Sequence, residues 1–347
     1  MDGSRRDFIK LGAAVAAVGA ALAQAEAQAT AVKNSAAGKL RLVTFAADAH
    51  AAPRTGVVTS GGKVIDLGAA AKKHGVRLSF DPAQMLLLIA GGEHALQEVR
   101  KLAAAAGEDG PALAAVRLLP PIPKPPRNVY AVGWNYLEHF EEGQALHGSD
   151  KKVEYPEHPV FFTKGSHVVN GPFDPIPFDP QVSTQIDWEG ELAVVIGKRG
   201  RNIAEADAMT YVFGYSVIND TTARDVQITK HGGQWFKGKS LDGHGPMGPW
   251  IIPAAELDPD NLHLITRVNG VVKQDANTKQ MYFKVPRIIA ELSSGLTLEP
   301  GDIIATGTPP GVGFARKPPQ FMKPGDVVET EIVEIGIIRN LIQQVQA

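Results

Sequence analysis

The 347-residue sequence contains no cysteine. Disulfide bridges, thiolate nucleophiles, Cys-ligated zinc and iron–sulfur clusters are therefore excluded. It also lacks an excess of either charge: 35 Lys and Arg stand against 37 Asp and Glu, a formal net charge of −2. That balance gives no basic surface for nucleic acid, and none is expected as a partner. A long, strongly apolar run is missing too. The stretch "SRRDFIKLGAAVAAVGAALAQAEAQA" (4–29) is apolar mainly through Ala and Gly, and its core is short for a membrane span. Arg5 and Arg6 precede that core, and Ala27-Gln28-Ala29 closes it in small-x-small form. The pattern predicts a twin-arginine signal peptide over 1–29, periplasmic localisation, and no stable membrane insertion after cleavage.

Turn formers are plentiful, with Gly 36 and Pro 25, and several runs read as strands. The expected class is α+β and β-rich. Residues 30–38 read as a linker. "LRLVTFA" (40–46), "TGVVTSGGKVIDLGAAAKKHG" (55–75) and an Ala/Leu-rich region near 82–106 predict a small N-terminal α+β domain over 39–120. "LLPPIPKPPRN" (118–128) can be neither regular helix nor central strand, and it marks the boundary to a catalytic domain over 121–347. Within that domain, Asn269-Gly270 predicts a hairpin turn, and "VPRIIAELSSG" (285–295) a helix capped near Gly295.

"GQWFKGKS" (233–240) matches the phosphate-loop pattern G-x-x-x-x-G-K-[ST]. The mechanism needs a strand before the loop and a helix after it. Gly243, Gly245, Pro246, Gly248 and Pro249 follow instead, so no nucleotide site is expected.

"DWEGELAVVIGK" (187–198) places Glu189 and Glu191 two apart, just before an apolar strand run. Both side chains then point to the same face. Two such carboxylates about 4 Å apart repel by roughly 4 kcal/mol at an effective dielectric near 20. A proton, a basic side chain such as Arg224 or Lys239, or a metal ion must compensate. Asp220 closes another apolar run, "YVFGYSVIND" (211–220), which makes three carboxylates at strand ends. Oxygen donors without thiolates suit hard cations: Mg2+, Mn2+ or Ca2+. His139 and Glu142 lie three apart on a predicted helix, hence on one face, where a carboxylate can orient an imidazole as general base.

Taken in order, "AVGWNYLEHFEE", "PVFFTKGS", "DWEGELAVVIGK", "YVFGYSVINDTTARDVQ", "QWFKGKSLDGHGPMGPW", "VNGVVKQDANT", "GDIIATGTPPGVG" and "MKPGD" form a series over roughly residues 120–340. The series resembles the fumarylacetoacetate hydrolase family, and most closely its acylpyruvase and 2-hydroxyhepta-2,4-diene-1,7-dioate isomerase branch. The resemblance implies a mixed β-roll or sandwich fold and a homodimer. It implies that Glu189, Glu191 and Asp220 ligate one divalent ion, usually Mg2+ or Mn2+, and that His139 and Glu142 activate a water. Lys239 corresponds to a lysine touching the metal-site carboxylates and the substrate. Lys164, Arg224, Gln227 and Thr308 correspond to positions near the substrate. Some members carry a fourth carboxylate where this chain has Val132, so water is expected there. The loop 143–158 is long and is expected to act as a lid.

The implied activity is hydrolysis of a C–C bond in a 2,4-diketo acid, a small-molecule keto acid that departs as an enolate. The same ligands would serve an isomerase or decarboxylase of 2-hydroxymuconate-like diacids. An exported binding protein for metal-chelated diacids is a further alternative.

Overall fold

The computed structural model describes residues 38–146 and 154–345. The expected signal peptide, nearly all of the 30–38 linker and part of the 143–158 loop lie outside the described residues. On the N-terminal side, strands β1 (Arg41–Ala46), β2 (Arg54–Val58), β3 (Val64–Asp66) and β4 (Arg117–Leu119) frame helices α1 (Leu67–His74), α2 (Met85–Ala90) and α3 (Gly92–Ala106). Then follow β5 (Val129–Gly133), α4 (Leu137–Leu146), β6 (Val160–Lys164), β7 (Gly190–Ile196), β8 (Val212–Asn219), α5 (Arg224–Thr229), α6 (Trp235–Lys239) and β9 (Gly245–Pro253). The chain ends with β10 (His263–Val268), β11 (Val271–Asn277), α7 (Val285–Ser293), β12 (Ile303–Ala305), β13 (Val327–Ile332) and β14 (Gly336–Gln344).

One large sheet runs β3-β2-β1-β9-β8-β7-β12-β5-β6, with β4 also paired to β1. A second runs β11-β10-β13-β14 and is extended by a short strand, Ile176–Phe178. The protein is thus mixed α+β and sheet-rich. Leu42 of β1 pairs with Ile251 of β9, so strands from both sides of the Pro-rich segment share one sheet. The hairpin between β10 and β11 turns at Asn269 and Gly270, with φ of 52° and 75°, the left-handed pair a type I′ turn requires.

β7 is buried along its whole length because both faces are covered. Leu192, Val194 and Ile196 pack with Leu264, Ile332 and Ile289 of the second sheet and α7. Ala193 and Val195 face the other way and pack with Leu88, Val99 and Ile251. Burying each large aliphatic side chain stabilises by about 1.5–3 kcal/mol. A run of three or more therefore offsets a repulsive carboxylate pair held at the strand's beginning.

The register brings the polar residues together. β7 runs antiparallel to β8 and to β12, and β12 runs parallel to β5. The start of β7 therefore lies beside the ends of β8, β12 and β5. Glu189 and Glu191, Asp220, the Thr306–Thr308 turn, and the Trp134–His139 segment all meet at this one edge.

Candidate active site

Gly190 pairs with Asn219 across β7 and β8, which sets Glu189 opposite Asp220. Two bonds lock that step: Asp220 N–H donates to Glu189 O at 2.8 Å, and Glu189 N–H donates to Asn219 Oδ1 at 3.1 Å. One oxygen from each of Glu189, Glu191 and Asp220 lies within 4.8 Å of the others, and all three residues are buried.

Basic side chains enter the cluster from three elements. Lys239, at the end of α6, reaches Glu189 Oε2 at 2.5 Å and Asp220 Oδ2 at 2.7 Å. Arg224, opening α5, donates from Nε to Asp187 at 2.8 Å and pairs through Nη2 with Glu189 at 2.6 Å. Lys164, at the end of β6, sits 2.7 Å from Asp220 Oδ1 and donates to Thr221 O at 3.2 Å. Four buried carboxylates, counting Asp187, thus meet three buried cations.

The imbalance falls on Glu191. Burial, then the charges of Asp220 and Glu189, push its carboxyl well above the usual range. Burial acts on Glu189 in the same direction, yet Lys239, Arg224 and His139 overcome it and bring that carboxyl to about 2. Lys239 and Arg224 are both raised, because their carboxylate partners outweigh burial. Lys164 is lowered, because burial and Lys239 outweigh the pull of Asp220.

This donor set fits a hard divalent cation. Every candidate donor is a carboxylate oxygen, Asp220 Oδ1 is buried with no aligned hydrogen bond, and Glu191 is the one of the three that forms no ion pair.

The turn after β12 encloses the cluster. Gly307 N–H donates to Glu191 Oε2 at 2.7 Å, and Thr308 Oγ1 donates to Gly190 O at 3.0 Å. Gln274 ties Thr308 Oγ1 and Gly190 N together from β11, at 2.7 and 3.0 Å. Further on, Gly313 and Phe314 N–H groups donate to Asp187 at 2.7 and 3.0 Å. Gly307 is left-handed, at φ 99°, and a Cβ there would lie 2.7 Å from the Asn135 Cβ, so glycine is required.

Buried Asn135 connects this turn to the imidazole-bearing helix. Its Nδ2 donates to Thr306 O at 2.7 Å and to Phe283 O at 3.0 Å, and its Oδ1 accepts from Phe283 N at 2.8 Å. Four residues later comes His139 on α4. His139 Nδ1 stands 3.6 Å from Glu142 Oε2 and has no hydrogen-bond partner. Glu142 accepts from Gly311 N at 3.0 Å through both oxygens, which fixes it against the same turn.

These groups line a cavity of about 280 Å3. Glu189, Glu191, His139, Lys239, Arg224, Gln227 and Thr308, all named from the sequence, line it. Asp220 and Lys164 are fully buried and reach the cluster without lining the cavity, and Glu142 is not among its lining residues either. Val132 faces the cavity with an apolar side chain. Sequence reasoning missed Asp187, Asn135, Gln274 and the aromatic residues of the cavity. Trp235 lines the cavity, whereas Tyr136 and Tyr215 are buried in the core. The usable signal was Trp134 directly after the glycine that ends β5.

The fumarylacetoacetate hydrolase C-terminal family profile matches residues 128–343, a span that holds every residue of this site. The protein belongs to the fumarylacetoacetate hydrolase family. Within it, the chain is 41% identical over 314 residues to the mitochondrial oxaloacetate tautomerase of Xenopus laevis, covering 89% of this chain and 92% of that one. The oxaloacetate tautomerase YisK of Bacillus subtilis is 41% identical over 295 residues, covering 83% and 95%. A maleylpyruvate hydrolase from Sphingobium sp. SYK-6, solved with manganese(II) and pyruvate, superposes with a TM-score of 0.66 at 32% identity, covering 88% and 100%. This family member is therefore an enzyme whose relatives include both isomerases and hydrolases.

Proposed function

We propose that the protein is a divalent-cation-dependent keto–enol tautomerase of 2-oxo acids, with oxaloacetate as the first substrate to test. The observation that carries this reading is the 41% identity to oxaloacetate tautomerases of two distant organisms over more than four-fifths of the chain. It replaces C–C hydrolysis as the leading activity. Hydrolysis remains the second reading, because the His139–Glu142 pair suits water activation and a maleylpyruvate hydrolase shares the fold.

Glu189, Glu191 and Asp220 would hold the cation, Mg2+ or Mn2+, which when bound supplies Lewis-acid polarisation of the 2-oxo acid end. The chain's own groups do the rest. Glu142 beside Nδ1 favours the Nδ1–H tautomer of His139, leaving Nε2 to take and return a proton. Lys239 stays protonated and keeps positive potential over the developing enolate oxygen. The Thr306–Thr308 turn holds Glu191 in place and keeps bulk water from that side.

The test follows enol oxaloacetate by ultraviolet absorbance in the presence of Mg2+ or Mn2+. Ketonisation faster than the buffer rate is expected and should vanish with chelator. Pyruvate release from an acylpyruvate, without faster ketonisation, would overturn the tautomerase reading in favour of the hydrolase.

A further inference from the structure

The cavity has an apolar lining beside its charged one, and it bears on the substrate. Trp134, Phe140, Phe162, Trp235, Ile228 and Phe314 make up this lining, with Phe314 against Arg224 and Phe162 against Lys239. The rings are mutually packed edge to face: Trp134 against Trp235 at 5.1 Å, Trp134 against Phe140 at 5.7 Å, and Phe162 against Trp235 at 5.3 Å between centroids. The chain gives up ordinary local choices to seat them. Gly133 leaves room for Trp235, since a Cβ there would lie 2.4 Å from its Cζ3. Trp134 takes the left-handed conformation at φ 55°, unfavourable for so bulky a residue, and the Tyr155 hydroxyl donates to its carbonyl.

Among the described lining residues, each cationic side chain is already paired. Besides His139, the basic residues among the described lining residues are Arg224 and Lys239. Arg224 is held by Asp187, Glu189 and Gln227, and Phe314 covers its guanidinium at 4.2 Å. Lys239 is held by Glu189 and Asp220, with the Phe162 ring 5.0 Å from Nζ. A second substrate carboxylate reaching this wall would lose its hydration and, among the described residues, find no unpaired cation there. A flat apolar group would gain contact with the ring faces and edges.

We infer that the preferred substrates are 2-oxo acids carrying a planar apolar group on C3, arylpyruvates above all, with Trp235 as a specificity-determining residue. This rests on the tautomerase reading of the same site. The reaction balances without a co-reactant. The enol O–H proton leaves, C2–O becomes C=O, and the C2=C3 electron pair takes a proton at C3.

The experiment compares kcat/KM for the enols of phenylpyruvate and oxaloacetate in the metal-loaded wild type, Trp235→Ala and Trp235→Phe. Wild type should favour phenylpyruvate at least tenfold. Trp235→Ala should lower the phenylpyruvate-to-oxaloacetate ratio by roughly 10- to 100-fold, and Trp235→Phe should recover most of it. Preference for oxaloacetate in the wild type, or equal losses on both substrates, would overturn the inference. Calorimetric titration with phenylglyoxylate and ketomalonate, which have no C3 proton to move, separates the two claims. Tighter, Trp235-dependent binding of phenylglyoxylate without ketonisation of either enol would sink the tautomerase reading and leave the apolar wall standing. Tighter ketomalonate binding would sink the wall.

Discussion

The floor and the wall of one cavity are built on opposite principles. The floor is charged, and its geometry is fixed by strand register, ion pairs and backbone donors: Gly190 opposite Asn219, Lys239 between Glu189 and Asp220, Gly307 on Glu191. The wall is apolar, and its geometry is fixed by ring packing, one absent Cβ and one left-handed tryptophan. Members of one family can share a floor and differ in the wall. The floor then sets what chemistry is possible, and the wall sets which molecule receives it.

Glu191 offers the largest test of that division. It is the buried carboxylate without a cation of its own, so it should destabilise the metal-free protein while enabling metal binding. Glu191→Gln should therefore raise the melting temperature of the metal-free protein by a few degrees. It should also abolish the metal-induced rise and cut ketonisation roughly a thousandfold. Thermal unfolding with and without Mn2+ reads both effects. A lower metal-free melting temperature, or activity persisting in chelator, would show that the floor is a paired salt cluster.

His139→Ala comes next. Turnover should fall by about 10²- to 10⁴-fold, the usual range for a general acid–base group, while the metal-induced rise in melting temperature stays. Losing both together would place the imidazole among the metal-holding groups.

The contrast also explains what the sequence could and could not disclose. Alternating carboxylates before a fully apolar run are legible because charge beside β-forming residues needs a reason. Glu189, Glu191, Asp220, His139, Arg224, Gln227, Lys239 and Thr308 were all found that way or through the family resemblance, and they meet at one sheet edge. Asp187 was visible in the same stretch, but its work is to hold Arg224 and the Gly313–Phe314 turn, and those partners are 37 or more residues away. The wall was illegible because an aromatic ring in a core and one in a cavity have the same local sequence. Only the approach of Gly133 to Trp235, across a hundred residues, separates them. The β-rich class was readable from strand patterns, but the pairing of β1 with β9 depends on contacts more than two hundred residues apart.

Acid should distinguish the cavity from the scaffold behind it. His244 is buried where the charge of Lys164 reaches it; it bonds through Nε2 to Pro177 O at 2.8 Å and leaves Nδ1 unpartnered. Burial lowers its pKa from 6.5 to about 4, mainly by desolvating the charged form. Between those values the unfolded chain binds a proton that the native protein refuses. Stability from this group is thus complete above about pH 6.5 and is lost as pH falls towards 4, by roughly 3 kcal/mol in all. Denaturant unfolding at pH 7 and 4.5 should show this loss in the wild type and a smaller one in His244→Gln. Identical pH dependence in both would remove His244 as its source.

The smallest effect tests the wall through a single hydroxyl. Tyr155 packs on Phe140 at 4.9 Å and on Tyr282 at 4.1 Å, so Tyr155→Phe keeps the ring contacts and removes only the bond to the Trp134 carbonyl. That loss is worth about 1 kcal/mol, and Trp134 is then free to relax from its left-handed conformation. If the wall selects the substrate, the phenylpyruvate-to-oxaloacetate ratio should fall about threefold to fivefold, matching the released tryptophan. Metal affinity should stay at the wild-type value, because no floor residue touches this hydroxyl. A change in metal affinity with an unchanged substrate ratio would mean that floor and wall are one mechanical unit, and the division between chemistry and selection would fail.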